Sequence, residues 1–244
     1  MPLFFLPNVR TDDGILTLRA EDSRHIALSL RMARGDEITV SDGEGKLFTC
    51  TLSSITPEEV KARILSSRTA VTEPPYSLTL YQAVPKNDKL ELIVQKAVEL
   101  GATEIVPFIS SFCVKRPHED KWKKQSARLE RIAEEAAKQC KRGRIPTIAP
   151  LLDYEEMLGR AKEAELPLFC YEGDGTLPLP ACLPNEKPSS LAVIIGSEGG
   201  FSEKEAEAAR ARGIRLCGLG HRILRCETAS LFALSALSFK YEIM

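Results

Sequence analysis

Two short glycine-bearing loops near the C-terminus constrain this chain more than any other feature. The first, Ile194-Ile195-Gly196-Ser197-Glu198-Gly199-Gly200-Phe201-Ser202, follows the apolar run Leu191-Ala192-Val193. The second, Gly218-Leu219-Gly220-His221-Arg222-Ile223-Leu224-Arg225-Cys226-Glu227-Thr228-Ala229, follows Ile214-Arg215-Leu216. Each lies where a buried strand gives way to a helix, the edge of an α/β sheet at which small molecules bind. Two such loops with a helix between them predict one cavity built from both. Glycine lets backbone N–H and C=O groups come close to a ligand. The spacing Gly196-x-x-Gly199-Gly200 is not the G-x-G-x-x-G of a dinucleotide site, and no Gly-Lys-Ser/Thr follows as in a phosphate-binding loop. A nucleoside held by backbone hydrogen bonds fits these loops better than a pyrophosphate, which argues against a nicotinamide-dependent oxidoreductase.

The rest of the chain supplies a scaffold of matching kind. With 244 residues, 43% hydrophobic and 27% charged, it can bury the core of one large domain or two modest ones. Its apolar runs are strand-length, short of the ~20 residues of a membrane helix. Met1 to Pro7 carries no basic lead and too short an apolar core for a secretion signal, so a cytoplasmic location is expected. Seven cysteines with no C-x-x-C pair, and three histidines, support neither a zinc site nor a redox pair, and no metal is expected.

Residues 1 to about 70 alternate with the period of two: Asp36 to Val40, Leu47 to Leu52 and Val60 to Ile64, separated by turns at Asp42-Gly43-Glu44-Gly45 and Thr56-Pro57-Glu58. They predict a small barrel, with a short helix over Ser23 to Leu30 capped by Ser23. Glu73-Pro74-Pro75-Tyr76 reads as a linker. Beyond it strands alternate with helices, a mostly parallel α/β domain. Expected strands are Ser77 to Val84, Glu104 to Phe108, Leu166 to Tyr171, Leu191 to Ile195 and Ile214 to Leu216. Asp153 with Glu156 and Ser202 with Glu205 read as helix starts, and a final helix is expected from about Glu227 to Phe239.

Charge is uneven. The whole chain carries −1, yet from Lys115 to Arg144 eleven Lys and Arg stand against five Asp and Glu, so that segment carries 11 − 5 = +6. In the long helix expected there, Leu129, Ile132, Ala133, Ala136, Ala137 and Cys140 share a face, leaving the charges on the other. Two readings stand: a solvated helix face, or an electrostatic footprint for nucleic acid.

The loops also resemble the signature of one group of SPOUT methyltransferases, the bacterial small-subunit ribosomal RNA uridine-N3 methyltransferases (the RsmE family). Further segments are similar to the family in the same order. They are Met32-Ala33-Arg34-Gly35-Asp36, Asp42-Gly43, Lys86-x-Asp88-Lys89-x-Glu91-Leu92-Ile93-x-Gln95-Lys96-Ala97-x-Glu99-Leu100-Gly101 and Glu134-Glu135-Ala136-x-x-Gln139-Cys140. Ser197 departs from the proline usual in the first loop, and His221 from the usual proline or lysine.

The resemblance implies a PUA-like β-barrel RNA-binding domain over 1–73 and a SPOUT methyltransferase domain over 77–244. The latter would be a parallel sheet with helices on both faces and a trefoil knot threaded by the last helix. It implies S-adenosyl-L-methionine as cofactor, a homodimer, and 16S ribosomal RNA, free or in the 30S subunit, as substrate. A methyltransferase of another nucleotide and a non-catalytic RNA-binding factor on the same fold are the alternatives. Cofactor contacts would come from Ile195, Gly196, Glu198, Gly199, Gly200, Leu219, Gly220, Ile223, Leu224, Glu227, Thr228 and Ala229. Arg225 would stabilise the deprotonated base, or tie the loop down. Glu198 would orient substrate or act as base, or fix its loop; Glu227 would hold the second loop, or serve the helix dipole alone. For RNA the candidates are Arg10, Arg31, Arg34, Lys115, Arg116, Lys141, Arg142 and Arg144, with Trp122 either stacking on a base or lying in the core.

Overall fold

The computed structural model describes residues 1–7, 9, 13–114 and 116–244. The chain divides into two compact units, residues 1–73 with 137–145, and residues 74–136 with 146–244.

In the first unit the alternating segments form strands β1 (Leu3–Phe5), β2 (Ile15–Thr17), β3 (Glu37–Ser41), β4 (Lys46–Ile55) and β5 (Val60–Thr69). They make one curled sheet in the order β1-β3-β4-β5-β2, antiparallel except for β1 with β3. Ile38, Val40, Leu52, Val60 and Ala62 point into its core, as the period of two requires. The β3–β4 turn is set by Asp42, whose carboxylate accepts the N–H groups of Glu44 and Lys46, and by Gly43 at φ +82.

The short helix differs from expectation. It starts earlier, as α1 (Ala20–Arg24), and continues as a π-helical turn over His25–Ser29. Ser23 is not its cap. It is fully buried, and its hydroxyl accepts the Val60 N–H of β5. Glu73, at the proposed linker, is an anchor: its carboxylate accepts from the Arg142 guanidinium and from the N–H groups of Gly143 and Arg144.

The second unit contains β6 (Ser77–Ala83), α2 (Lys89–Glu99), β7 (Glu104–Phe108) and α3 (Glu119–Cys140), whose last turn belongs to the first unit. There follow β8 (Thr147–Ile148), α4 (Tyr154–Ala161), β9 (Leu166–Cys170), β10 (Leu177–Pro178) and α5 (Leu179–Cys182). The chain closes with β11 (Ser190–Ile195), α6 (Glu203–Ala211), β12 (Arg215–Gly218) and α7 (Cys226–Ser238), prolonged by a π-helical turn over Phe239–Ile243. All seven strands pair in parallel, in the order β10-β12-β9-β11-β6-β7-β8, with helices flanking the sheet. Every residue of β9 is buried, and so is every residue of β11 after Ser190, which is why these strands read as unbroken apolar runs.

Both expected capping boxes are present, Asp153 with Glu156 opening α4 and Ser202 with Glu205 opening α6. Phe201, just before the second box, stacks into the core with its ring centroid 4.1 Å from that of Phe169. All seven thiols are free, and all but the half-buried Cys140 are buried. Among the described residues no helix is long and apolar enough to cross a membrane.

Candidate functional site

Strand order brings the two loops together. β9 lies between β11 and β12, so the ends of three neighbouring parallel strands converge on one side of the sheet. They enclose a cavity. Ile195, Gly196, Ser197, Glu198 and Gly200 line it from the first loop; Leu219, Gly220, Ile223 and Leu224 line it from the second, with Ala229 on α7. The third wall, which the sequence reading missed, is the end of β9: Cys170, Tyr171, Glu172 and Thr176. Its only signal was Gly173-Asp174-Gly175 after an apolar run, a turn like many others.

The first loop folds tightly on itself. Gly200 donates its N–H to the Ser197 carbonyl and adopts φ +64, a conformation side chains resist. A Cβ on Gly196 would stand 3.0 Å from the Gly200 backbone. The Gly196 carbonyl accepts from the buried Gln82 amide, itself held by the Ser230 hydroxyl of α7. Gly199 is not among the residues that line the cavity. A Cβ there would meet Phe112 Cβ at 2.8 Å, so the glycine is required by packing behind the loop. Glu227, Thr228 and Arg225 are likewise absent from the cavity wall, to which Arg222 belongs.

Glu198 and Glu227 share one cation. Lys89, in the first turn of α2, lies 3.0 Å from Glu198 and 3.3 Å from Glu227, and the Lys86 N–H also donates to Glu198. Burial acts to raise both carboxyl pKa values. Backbone N–H groups, Lys89 and, for Glu227, the Cys226 thiol outweigh it, so both titrate below the usual carboxylate range. The hydrogen bond to Glu198, with that to Glu227, outweighs partial burial and raises the Lys89 pKa in turn. A carboxylate so stabilised is a weak base. That counts against Glu198 as the base and leaves open its orienting substrate or fixing the loop. Burial, with Glu227 and Glu198 beside it, pushes the Cys226 thiol up to about 12, so it is no nucleophile.

Arg225 occupies the N-cap position of α7, exposed, between the cavity-lining Leu224 and Cys226. It makes no side-chain cap hydrogen bond, and among the described residues its guanidinium has no ion pair.

The basic residues sort unevenly. Arg31, at φ +50, Arg34, Arg116, Lys141 and Arg144 are exposed, the last donating to the Glu44 carbonyl. Arg142 is not available to a phosphate: it is 3% exposed and paired with Glu73 at 2.7 Å. Arg10 and Lys115 lie outside the described residues. Trp122 is buried, which matches the core reading, while Lys121, Lys123, Lys124 and Arg131 stand exposed along α3.

Residues 72–238 match the model of an RNA methyltransferase domain, and residues 18–65 that of an RNA methyltransferase PUA domain. The ribosomal RNA small subunit methyltransferase E of Bacillus subtilis is 33% identical over 233 residues, covering 93% of this chain and 91% of that protein. The chain belongs to the ribosomal RNA small subunit methyltransferase E family. Solved structures agree. That of the Neisseria gonorrhoeae family member bound to S-adenosyl methionine has 31% identity and a TM-score of 0.87, over 98% of this chain and 97% of that one. A Legionella pneumophila putative methyltransferase with bound SAM has 30% identity and a TM-score of 0.87, over 97% and 96%. Within the family segment Lys86 to Gly101, Lys89 is the bridging residue that reading by motif missed, because its partners lie more than a hundred positions away in sequence.

Proposed function

We propose that this chain is an S-adenosylmethionine-dependent methyltransferase that modifies N3 of a uridine in 16S ribosomal RNA, on the RNA or on the small subunit, as a homodimer. The observation that carries the reading is the single cavity enclosed by two glycine loops and the end of β9. Its residues fit the cofactor. Glycine backbone at 196, 200 and 220 gives close access, Leu219, Leu224 and Ala229 give apolar surface for a nucleoside, and the buried Ser197 hydroxyl has no partner among the described residues. When bound, the cofactor supplies an electrophilic methyl group.

The protein's own task is the nucleotide. Uracil N3 carries a proton and must lose it to become nucleophilic, leaving negative charge on O2 and O4. Arg225, without an ion pair among the described residues and next to the cavity-lining Leu224, meets that charge as it develops. Gln82, Ser230 and the Lys89 bridge keep both loops in place while it does so. Exposed cations of the first unit, Arg31, Arg34, Lys141 and Arg144, hold the RNA backbone. Apolar side chains exposed on the mutually packed α2 and α7, Leu92 and Phe232 among them, support pairing with a second copy. The trefoil knot belongs to the same proposal, with the last helix threaded through the preceding loop.

Two measurements test the reading. Calorimetric titration with S-adenosylhomocysteine is expected to show stoichiometric binding, and no heat from the folded protein would refute the cofactor assignment. Mass spectrometry of ribosomal RNA nucleosides from cells with and without the gene is expected to differ by 3-methyluridine; a different missing nucleoside would move the substrate.

A further inference from the structure

Five serines among the described residues are buried, and four have evident work. Ser23 accepts the Val60 N–H, Ser41 donates to the Gly143 carbonyl, Ser110 meets the Cys113 thiol and Ser230 donates to Gln82. The fifth is Ser197, 6% exposed, whose Oγ is the buried side-chain polar atom without a hydrogen-bond partner among the described residues. Its loop does not need the hydroxyl. The Ser197 carbonyl closes the turn by accepting the Gly200 N–H, Gln82 secures Gly196, and Lys86 and Lys89 secure Glu198.

A hydroxyl buried without a partner destabilises a fold, and such groups are rare where nothing answers them. This one belongs to a residue of the cavity wall. We propose that Ser197 is a binding residue, whose hydroxyl is completed by a hydrogen bond to a polar group of the methyl donor. The inference rests on the cavity being the S-adenosylmethionine site. A hydroxyl both donates and accepts, so the ribose hydroxyls and the amino-acid carboxylate and ammonium of the donor are all fitting partners.

The signature is a pair of opposite effects. In Ser197→Ala the unanswered group is gone from the free protein and the hydrogen bond is gone from the complex. Calorimetry with S-adenosylhomocysteine on the full chain is expected to show affinity about five- to tenfold weaker than in the unsubstituted protein. Thermal unfolding without ligand is expected at the same temperature or higher. Ser197→Cys, with a weaker donor of similar shape, is expected between the two in affinity. Equal affinity of Ser197→Ala and the unsubstituted chain would overturn the inference while leaving the cofactor site intact. A fall in unfolding temperature together with affinity would also overturn it, because the hydroxyl would then be supporting the loop. Failure of the unsubstituted chain to bind would instead remove the site itself. Repeating the titration with 5′-methylthioadenosine locates the partner: a persisting loss assigns it to the nucleoside half, and a vanished loss to the amino-acid half.

Discussion

Replacing Lys89 by Met removes a charge and keeps the bulk of the aliphatic stem. In the structure Nζ lies 3.0 Å from Glu198 and 3.3 Å from Glu227, with side-chain exposures of 28%, 27% and 17%. These are neither surface pairs, worth about 0.2–1 kcal/mol, nor fully buried ones, whose breaking costs about 3–5 kcal/mol. Breaking two half-screened ion pairs at once, and leaving two carboxylates to face each other, costs about 2 kcal/mol on that scale. For a chain of this size that lowers the unfolding temperature by roughly 4–8 °C. The same change uncouples the first loop from the start of α7. If the closed arrangement falls to about a tenth of the population, affinity for S-adenosylhomocysteine falls about tenfold.

The pH dependence has a definite sign. Glu198 and Glu227 are depressed below 4.5 in the fold, so what they contribute is present above 4.5 and lost as pH falls through their lowered values. Lys89 is raised above 10.5, so its share is present below 10.5 and lost as pH rises through the higher value. Differential scanning fluorimetry of the two proteins should therefore show a constant gap between about pH 5 and 10, narrowing on both sides. A double-mutant cycle with Glu198→Gln is expected to give a coupling above about 0.5 kcal/mol. Additive effects, or an unchanged affinity in Lys89→Met, would refute the bridge as the fastening between the loops.

Other substitutions separate the remaining roles. Arg225→Ala is expected to lower turnover by about 10²–10³-fold with S-adenosylhomocysteine affinity within about twofold, as for loss of one charge-stabilising donor; equal loss of both would mean that Arg225 holds the loop. Reversing Lys121, Lys123 and Lys124 on the exposed side of α3 tests the electrostatic footprint. RNA affinity should fall and its log–log salt dependence should flatten by about 0.7–0.9 for each phosphate contact removed, whereas unchanged affinity and slope would assign the solvated-face reading. Arg142→Met should act on stability, costing about 2–4 kcal/mol because the half-buried Glu73 loses its cation. If instead Arg142→Met unfolds at the normal temperature and binds RNA less well, the guanidinium reaches the phosphate after all.

What could be read along the chain, and what could not, divides by the range of the interaction. The two capping boxes were legible because Asp153 with Glu156 and Ser202 with Glu205 complete their hydrogen bonds within three residues. The apolar runs of β9 and β11 and the amphipathic face of α3 were legible because periodicity records burial directly. Ser23 misled for the converse reason. A serine before an apolar helix has the chemistry of a cap, yet its hydroxyl answers Val60, 37 positions on. Arg142 misled because a cation in a basic run looks like its neighbours until Glu73, 69 positions away, is seen to take it.

The site itself falls on both sides of this line. Its two glycine loops are local signals, but the wall between them depends on β9 lying between β11 and β12, and strand order is not written in any segment. The same holds for function within the site. Glu198 and Glu227 each have a motif to mark them, while the cation that makes them a single fastening comes from α2 and was only one lysine in a long resemblance. In this fold, then, local sequence specifies what approaches the ligand, and long-range pairing specifies what holds it still. Roles inferred from motif alone are for that reason most prone to error at charged residues, whose action depends on the partner the fold brings to them.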